Sequence, residues 1–122
     1  MQEKRRGMIR IWYAAGHSWR GLRAGWLEPA FRQEVLMALA LAPFSLVLAR
    51  QWVEAVVLVG VLVLVLITEL LNTAVESVVD RIGPQWHALS GRAKDVASSA
   101  VLLSLLLCGG VWVSAAVRWW WF

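Results

Sequence analysis

The longest uncharged run in the chain sets the strongest limit on its fold. Twenty-two residues, Val96 to Val117, contain no Asp, Glu, Lys or Arg. About 20 apolar residues in a helix suffice to cross the hydrocarbon core of a bilayer. Two shorter runs precede it, fifteen residues from Val35 to Ala49 and fourteen from Ala55 to Thr68. The first reaches spanning length if its helix begins near Ala30 and Glu34 faces protein; Pro43 is tolerable there, because neighbouring groups in a membrane helix can re-satisfy the freed carbonyl. The second is long enough only if it continues through Glu69 to about Val75 or beyond, which places a carboxylate within or at the edge of the membrane.

Composition agrees with a membrane protein of one domain. Of the 122 residues, 60% are apolar and 16% charged, with a mean hydropathy of +0.63. A soluble chain of this length cannot hide so much apolar surface, and disorder requires the opposite balance. The single cysteine, Cys108, excludes a disulfide framework within the chain, and two histidines with one cysteine do not build the usual N/S zinc or iron site. The net charge is only +4 despite a pI near 10.2, and the basic residues flank the apolar runs. That distribution points to membrane topology and anionic lipid, not to nucleic acid.

Cations assign the orientation. Seven precede the first run (Lys4, Arg5, Arg6, Arg10, Arg20, Arg23 and Arg32), and the next three segments carry one (Arg50), three (Arg81, Arg92 and Lys94) and one (Arg118). The alternation predicts three spans with the N-terminus and the 80–95 connection in the cytoplasm, and Trp119, Trp120 and Trp121 as an anchor at the opposite interface. No signal peptide is expected, because the first 34 residues lack an early apolar core followed by a small-residue cleavage site. Between about 7 and 26, Trp12, Ala15, Trp19, Leu22 and Trp26 recur at steps of three and four, with Arg10, His17 and Arg20 off that stripe. This predicts an amphipathic helix lying on the membrane surface, for which a simple anchoring role is the plainer alternative. The expected architecture is an all-α membrane protein with spans over about 30–49, 53–80 and 92–118. No internal repeat or flexible linker interrupts it.

The segment from Glu69 to Arg81 carries the chemistry. At about 100° per residue, Asn72, Glu76 and Asp80 fall about 60° behind, 20° behind and 20° ahead of Glu69. Three carboxylates and an amide thus share one face of a helix otherwise covered by Leu70, Leu71, Val75, Val78 and Val79. One acidic side chain at mid-membrane costs about 2.5–3.5 kcal/mol on insertion scales, and stacked carboxylates repel one another unless a proton or cation intervenes. Either cations from other helices neutralise the stripe as packing glue, or the stripe is functional. The next connection favours function. Ser90-Gly91-Arg92-Ala93-Lys94-Asp95 leads into the third span, with Ser98 one turn deeper, and Ser90 is a plausible N-cap. Arg92, Lys94 and free N–H groups at a helix start suit phosphate, although the positive-inside bias alone also explains such cations. Carboxylates opposite them suit Mg²⁺ carried by a nucleotide. No P-loop, dinucleotide fingerprint or soluble-kinase catalytic loop occurs, so a nucleotide enzyme here is built on membrane helices.

These residues resemble the small prokaryotic diacylglycerol kinases, integral membrane enzymes that include the undecaprenol kinases. The resemblance covers nearly the whole chain. It is carried by Arg10 with Ala14-Ala15-Gly16-His17-Ser18-Trp19 and Gly21-Leu22-Arg23, by Phe31-Arg32-Gln33-Glu34, by Glu69 through Arg81, and by Ser90 through Asp95. It implies a three-span homotrimer in the bacterial inner membrane, with active sites between neighbouring protomers and ATP-dependent phosphorylation of diacylglycerol to phosphatidic acid. It further implies Glu69 as general base and Glu28 and Glu76 as Mg²⁺ ligands that present ATP. Arg10, His17, Gln85, Trp86, His87, Lys94 and Asp95 become nucleotide contacts. Ala14, Ala15, Gly16, Ser18, Trp19, Ala30, Phe31, Arg32, Gln33, Glu34, Ser98 and Trp112 line the lipid site, and Asn72 and Asp80 support the polar face. The chain departs from the family at His17 and Trp86, where tyrosines are expected, at Gln85, where a glutamate is, and at Ala88, which replaces an acidic residue. The Leu27-Glu28-Pro29 stretch is about one residue shorter. These departures bear on the adenine and ribose contacts. An undecaprenol kinase of the same fold is the near alternative, and a non-enzymatic subunit with an intramembrane acidic relay the remote one.

Overall fold

The computed structural model describes residues 6–122, and they form four helices: α1 (Met8–Trp26), α2 (Pro29–Leu48), α3 (Trp52–Ile82) and α4 (Ala88–Trp121). Lys4 and Arg5, counted in the N-terminal cation excess, lie outside the described residues. The described residues contain no strand. Helices α2, α3 and α4 are each long and apolar enough to cross a membrane, and the chain is a membrane protein.

Each connection has a local cause. Leu27 and Glu28 turn α1 into α2, and Pro29 occupies the first helical position, where its missing N–H costs nothing. Gly83 ends α3 at φ 156° and ψ 161°, a conformation that side chains with a Cβ avoid, and Pro84 follows it. The start of α4 differs from the sequence expectation. His87, not Ser90, is the N-cap: its backbone is extended and its Nδ1 accepts the Leu89 N–H at 3.0 Å. Ser90 lies inside the first turn instead. Imidazole Nδ1 does the work usually assigned to a hydroxyl, so a search for Ser, Thr, Asp or Asn overlooked it. The helix therefore begins four residues before the expected start at 92.

Helix lengths position the site. The 20 residues of α2 match one hydrocarbon thickness, whereas the 31 of α3 and the 34 of α4 reach about 46 and 51 Å at 1.5 Å per residue. The connection of α2 to α3 is only Ala49 to Gln51, so these helices start level at that end. The surplus of α3 and α4 consequently projects beyond α2 at the other end, where Glu76, Asp80 and Lys94 lie.

Helices α3 and α4 run antiparallel, and polar pairs fix their register along the whole length. Arg118 meets Glu54, the Trp112 indole Nε1 donates to the Leu58 carbonyl at 3.0 Å, Thr68 Oγ1 and Ser104 Oγ lie 2.8 Å apart, and Lys94 meets Asp80. Thr68 and Ser104 also donate to carbonyls of their own helices, at Val65 and Val101, so neither hydroxyl is stranded in the apolar interior. Val61, Leu62, Val65 and Cys108 form the buried cluster, with Met37, Ala38 and Leu41 of α2 and Val111 and Trp112 of α4 packed on it.

The far end is closed by one guanidinium. Arg118 donates Nη1 to Glu54 Oε1 at 2.7 Å and Nη2 to Glu54 Oε2 at 2.6 Å, and Nη2 also reaches the Leu48 carbonyl at 3.3 Å. Glu54 in turn accepts the Arg50 N–H at 2.7 Å, capping the turn that enters α3. Three helix ends are thus joined by a bidentate pair, the geometry in which Arg differs most from Lys. Glu54→Gln is expected to lower the thermal unfolding midpoint in detergent micelles. Glu54→Gln combined with Arg118→Gln is expected to lose less than the sum of the single changes, as the two groups share one interaction. Additive losses in this cycle would show that the pair does not couple the helices.

Candidate active site

The inner part of the acidic stripe faces α2 rather than lipid. Glu69 is 7% exposed despite being a carboxylate in an apolar helix. Its carboxyl adjoins that of Glu34 on α2, and the charges of Glu76 and Glu28 act on it from one turn or more away. Glu34 and Glu69 thus face each other from α2 and α3, while Glu28 and Glu76 are exposed and reach Glu69 only through their charge. Oε2 of Glu34 and Oδ1 of Asn72 are buried without a hydrogen bond, while Asn72 Nδ2 donates to Glu76 Oε1 at 3.3 Å. Among the described residues, none of Glu28, Glu34, Glu69 or Glu76 has an ion-pair partner. Two adjoining carboxyls as enclosed as Glu34 and Glu69 are costly unless a cation or a proton enters, and among the described residues of one chain no cation is paired with them.

The resemblance groups Glu34 with Ala30, Phe31, Arg32 and Gln33 along the lipid entrance, and its half-buried carboxyl lies against the general-base candidate. The sequence carries a signal for this: Glu34 is the one acid in the first span, and an ionisable group at that depth needs a polar neighbour. Phe31 is buried against Gly25 at the end of α1, whereas Arg32 and Gln33 are exposed.

Beyond α2, the projecting ends of α3 and α4 enclose a cleft of about 310 Å³. Asp80, Gly83, Pro84, Gln85, Trp86, His87, Ser90, Gly91 and Lys94 line it, with Val79 at its floor. Small-ligand sites begin near this size. Four of the expected nucleotide contacts, Gln85, Trp86, His87 and Lys94, are brought together here. Lys94 Nζ donates to Asp80 Oδ1 at 2.9 Å. Asp95 does not line the cleft, and Ser98 is exposed about one turn below Lys94.

The remaining expected positions lie elsewhere. Arg10 and His17 are exposed on α1, and among the described residues no hydrogen bond or ion pair joins either to α3 or α4; His17 Nδ1 instead lies 2.8 Å from Arg20 Nη2. Ala14, Ala15, Gly16, Ser18 and Trp19 belong to the same helix, and Ser18 Oγ turns back to the Ala14 carbonyl. Trp112 contacts Leu58, eleven residues or about 16 Å along α3 from Glu69. There it clamps two helices and is remote from the carboxylates.

Helix α1 reaches the site through its last turn. A Cβ on Gly25 would lie 2.7 Å from Leu70 Cδ2 and 3.5 Å from the Phe31 ring, so glycine permits α1 to dock beside Glu69. The donor set fits a hydrated Mg²⁺. No group of three or more His, Cys, Asp or Glu forms a metal cage among the described residues, and Mg²⁺ commonly takes one or two carboxylates, with water and phosphate supplying the rest. Glu28 and Glu76 offer two such carboxylates within electrostatic reach of Glu69.

The family model described as Prokaryotic diacylglycerol kinase matches residues 16–116. The chain is 47% identical to the diacylglycerol kinase of Escherichia coli (strain K12) over 107 residues, which is 87% of this chain and 88% of that protein. It is 40% identical to the diacylglycerol kinase of Haemophilus influenzae over 110 residues (89% and 93%), and 38% identical to that of Pseudomonas aeruginosa over 109 (88% and 89%).

The Gly25 contact has a measurable consequence. Gly25→Ala is expected to be mild, because the terminal methyl of Leu70 can rotate away. Gly25→Val, with no room for its branch, is expected to cost about 1–3 kcal/mol and to lower the thermal midpoint. Equal midpoints for Gly25→Val and the parent chain would mean that α1 does not dock against Leu70.

Proposed function

The chain belongs to the prokaryotic diacylglycerol kinase family, and from that premise we propose that it phosphorylates the free hydroxyl of diacylglycerol with ATP, giving phosphatidic acid and ADP. It does so in the bacterial inner membrane with its N-terminus in the cytoplasm, as a homotrimer. Membership sets aside the reading as a non-enzymatic relay subunit. The observation that supports the mechanism is the enclosed Glu34–Glu69 carboxyl pair without a cationic partner, on the same helix α3 that carries Asp80 of the Lys94 cleft.

Each group has a task suited to its position. Glu69, at the depth where a lipid headgroup meets water, accepts the hydroxyl proton as the lipid oxygen attacks the γ-phosphorus. The new bond is from lipid oxygen to phosphorus; the bond that breaks joins the γ-phosphorus to the bridging oxygen, whose electrons leave with ADP. Lys94 neutralises phosphate charge from the α4 side, and Gln85, Trp86 and His87 contact the rest of the nucleotide, with Arg10, His17 and Asp95 as further contacts. Glu28 and Glu76 would hold Mg²⁺, whose charge would screen the triphosphate. Asn72 orients Glu76 through its amide, and its free Oδ1 is available to a hydroxyl donor. Glu34 keeps the wall beside Glu69 polar where Ala30 and Phe31 admit the lipid, and Ser98 lies across on α4. Phosphoryl transfer asks mainly for such positioning and charge neutralisation.

The assay is transfer of labelled γ-phosphate from ATP to extracted lipid, with and without Mg²⁺. Label in phosphatidic acid only when Mg²⁺ is present is the expected result, and faster turnover on undecaprenol than on diacylglycerol would reassign the substrate. Glu69→Gln is expected to reduce turnover by about 10²–10⁴-fold, the usual contribution of a general base, while ATP binding persists. Glu76→Gln is expected to raise the Mg²⁺ and ATP concentrations needed for half-maximal rate. Near-normal turnover in Glu69→Gln would remove it from the role of base.

A further inference from the structure

Of the stripe formed by Glu69, Asn72, Glu76 and Asp80, only Asp80 has an ion-pair partner among the described residues, and that partner is Lys94. Helical geometry aligns Asp80 with Glu69, yet Asp80 is not among the groups whose charge or hydrogen bonding acts on Glu69. Eleven residues along α3 separate the two, so Asp80 stands on the projecting part of the helix, inside the cleft and outside the carboxylate cluster.

The pair is too exposed to serve as a clamp. The side chains of Lys94 and Asp80 are 43% and 69% exposed, and ion pairs in that environment add little to stability. Its effect lies in geometry. Lys94 supplies the fixed positive charge of the cleft lining, at the end of a flexible stem whose immobilisation has a large entropic cost. An ammonium has three donors. One is engaged by Asp80 Oδ1 at 2.9 Å, which leaves two for phosphate oxygens while the stem is already held.

We propose that Asp80 is a positioning residue, which holds the Lys94 ammonium in the cleft so that ATP phosphates meet an ordered cation. This inference rests on the reading of the cleft as the ATP site. Asp80 acts on the nucleotide through Lys94, and the lipid hydroxyl does not meet it.

The test is a double-substitution cycle on the full chain in detergent–lipid micelles, with steady-state kinetics in Mg-ATP and direct titration of Mg-ATP binding. Asp80→Asn is expected to raise KM for Mg-ATP by about fivefold, the scale of ordering one long side chain, with kcat changed less. Asp80→Glu is expected to recover most of the loss. Lys94→Met is expected to raise KM further, and Asp80→Asn added to Lys94→Met is expected to do no additional harm. An unchanged or lowered KM in Asp80→Asn would overturn the proposal. So would an additive loss in the double variant, or a fall in thermal midpoint that parallels the KM change. Should the parent chain bind Mg-ATP but transfer nothing to lipid, weakened titration of Asp80→Asn still supports the positioning role while the lipid-kinase reading fails. If the parent chain binds no Mg-ATP, both are wrong.

Discussion

Hydrocarbon has room for about twenty helical residues along its normal, and two of the three long helices here exceed that by half or more. A membrane helix that outgrows its membrane must tilt, bend or emerge. In this chain the short connection from α2 to α3 pins one end, and the Glu54–Arg118 pair holds α4 to the same level. The surplus length thus lies at the opposite end, beyond α2. The emergent pair of helix ends is therefore a fixed ledge above the bilayer, made from the same helices that line the apolar interior. A water-soluble nucleotide and a membrane-bound alcohol can meet at its base.

The ledge also explains how one helix tolerates such unequal surroundings. Going along α3 from its start, the residues pass from the apolar cluster at Val61, Leu62 and Val65, through the Thr68–Ser104 contact, to Glu69, and then to Glu76 and Asp80 in progressively wetter positions. The carboxylates are graded by depth. Glu69, the deepest, is enclosed by α2 and α1 and adjoins another acid; Asp80, the shallowest, is paired with a lysine in the open. Desolvation, which makes an unpaired anion costly, is thus greatest where proton transfer is assigned and least where a charge only needs holding.

Much of this was legible in the sequence, because membrane constraints are strict. Uninterrupted apolar length locates the three spans, and the 3.6-residue period puts Glu69, Asn72, Glu76 and Asp80 on one face. What was not legible depended on contacts between distant residues. Arg118 counts in the sequence only as a topology cation, since nothing local says that it will meet Glu54, sixty-four residues away. Glu34 is expected to face protein, but its neighbour on α3 is set by helix packing, which is not encoded in a window of ten residues. The His87 cap was missed because imidazole seldom fills that role. Trp112 fell far from the carboxylates for the same reason that Glu54 met Arg118: the antiparallel register of α3 and α4 assigns it to the opposite leaflet.

The close seat of α1 on α3 carries a wider implication. With no side chain at Gly25, α1 rests directly on the residue next to Glu69, so the seat of that helix and the enclosure of a single carboxylate are set by one packing contact.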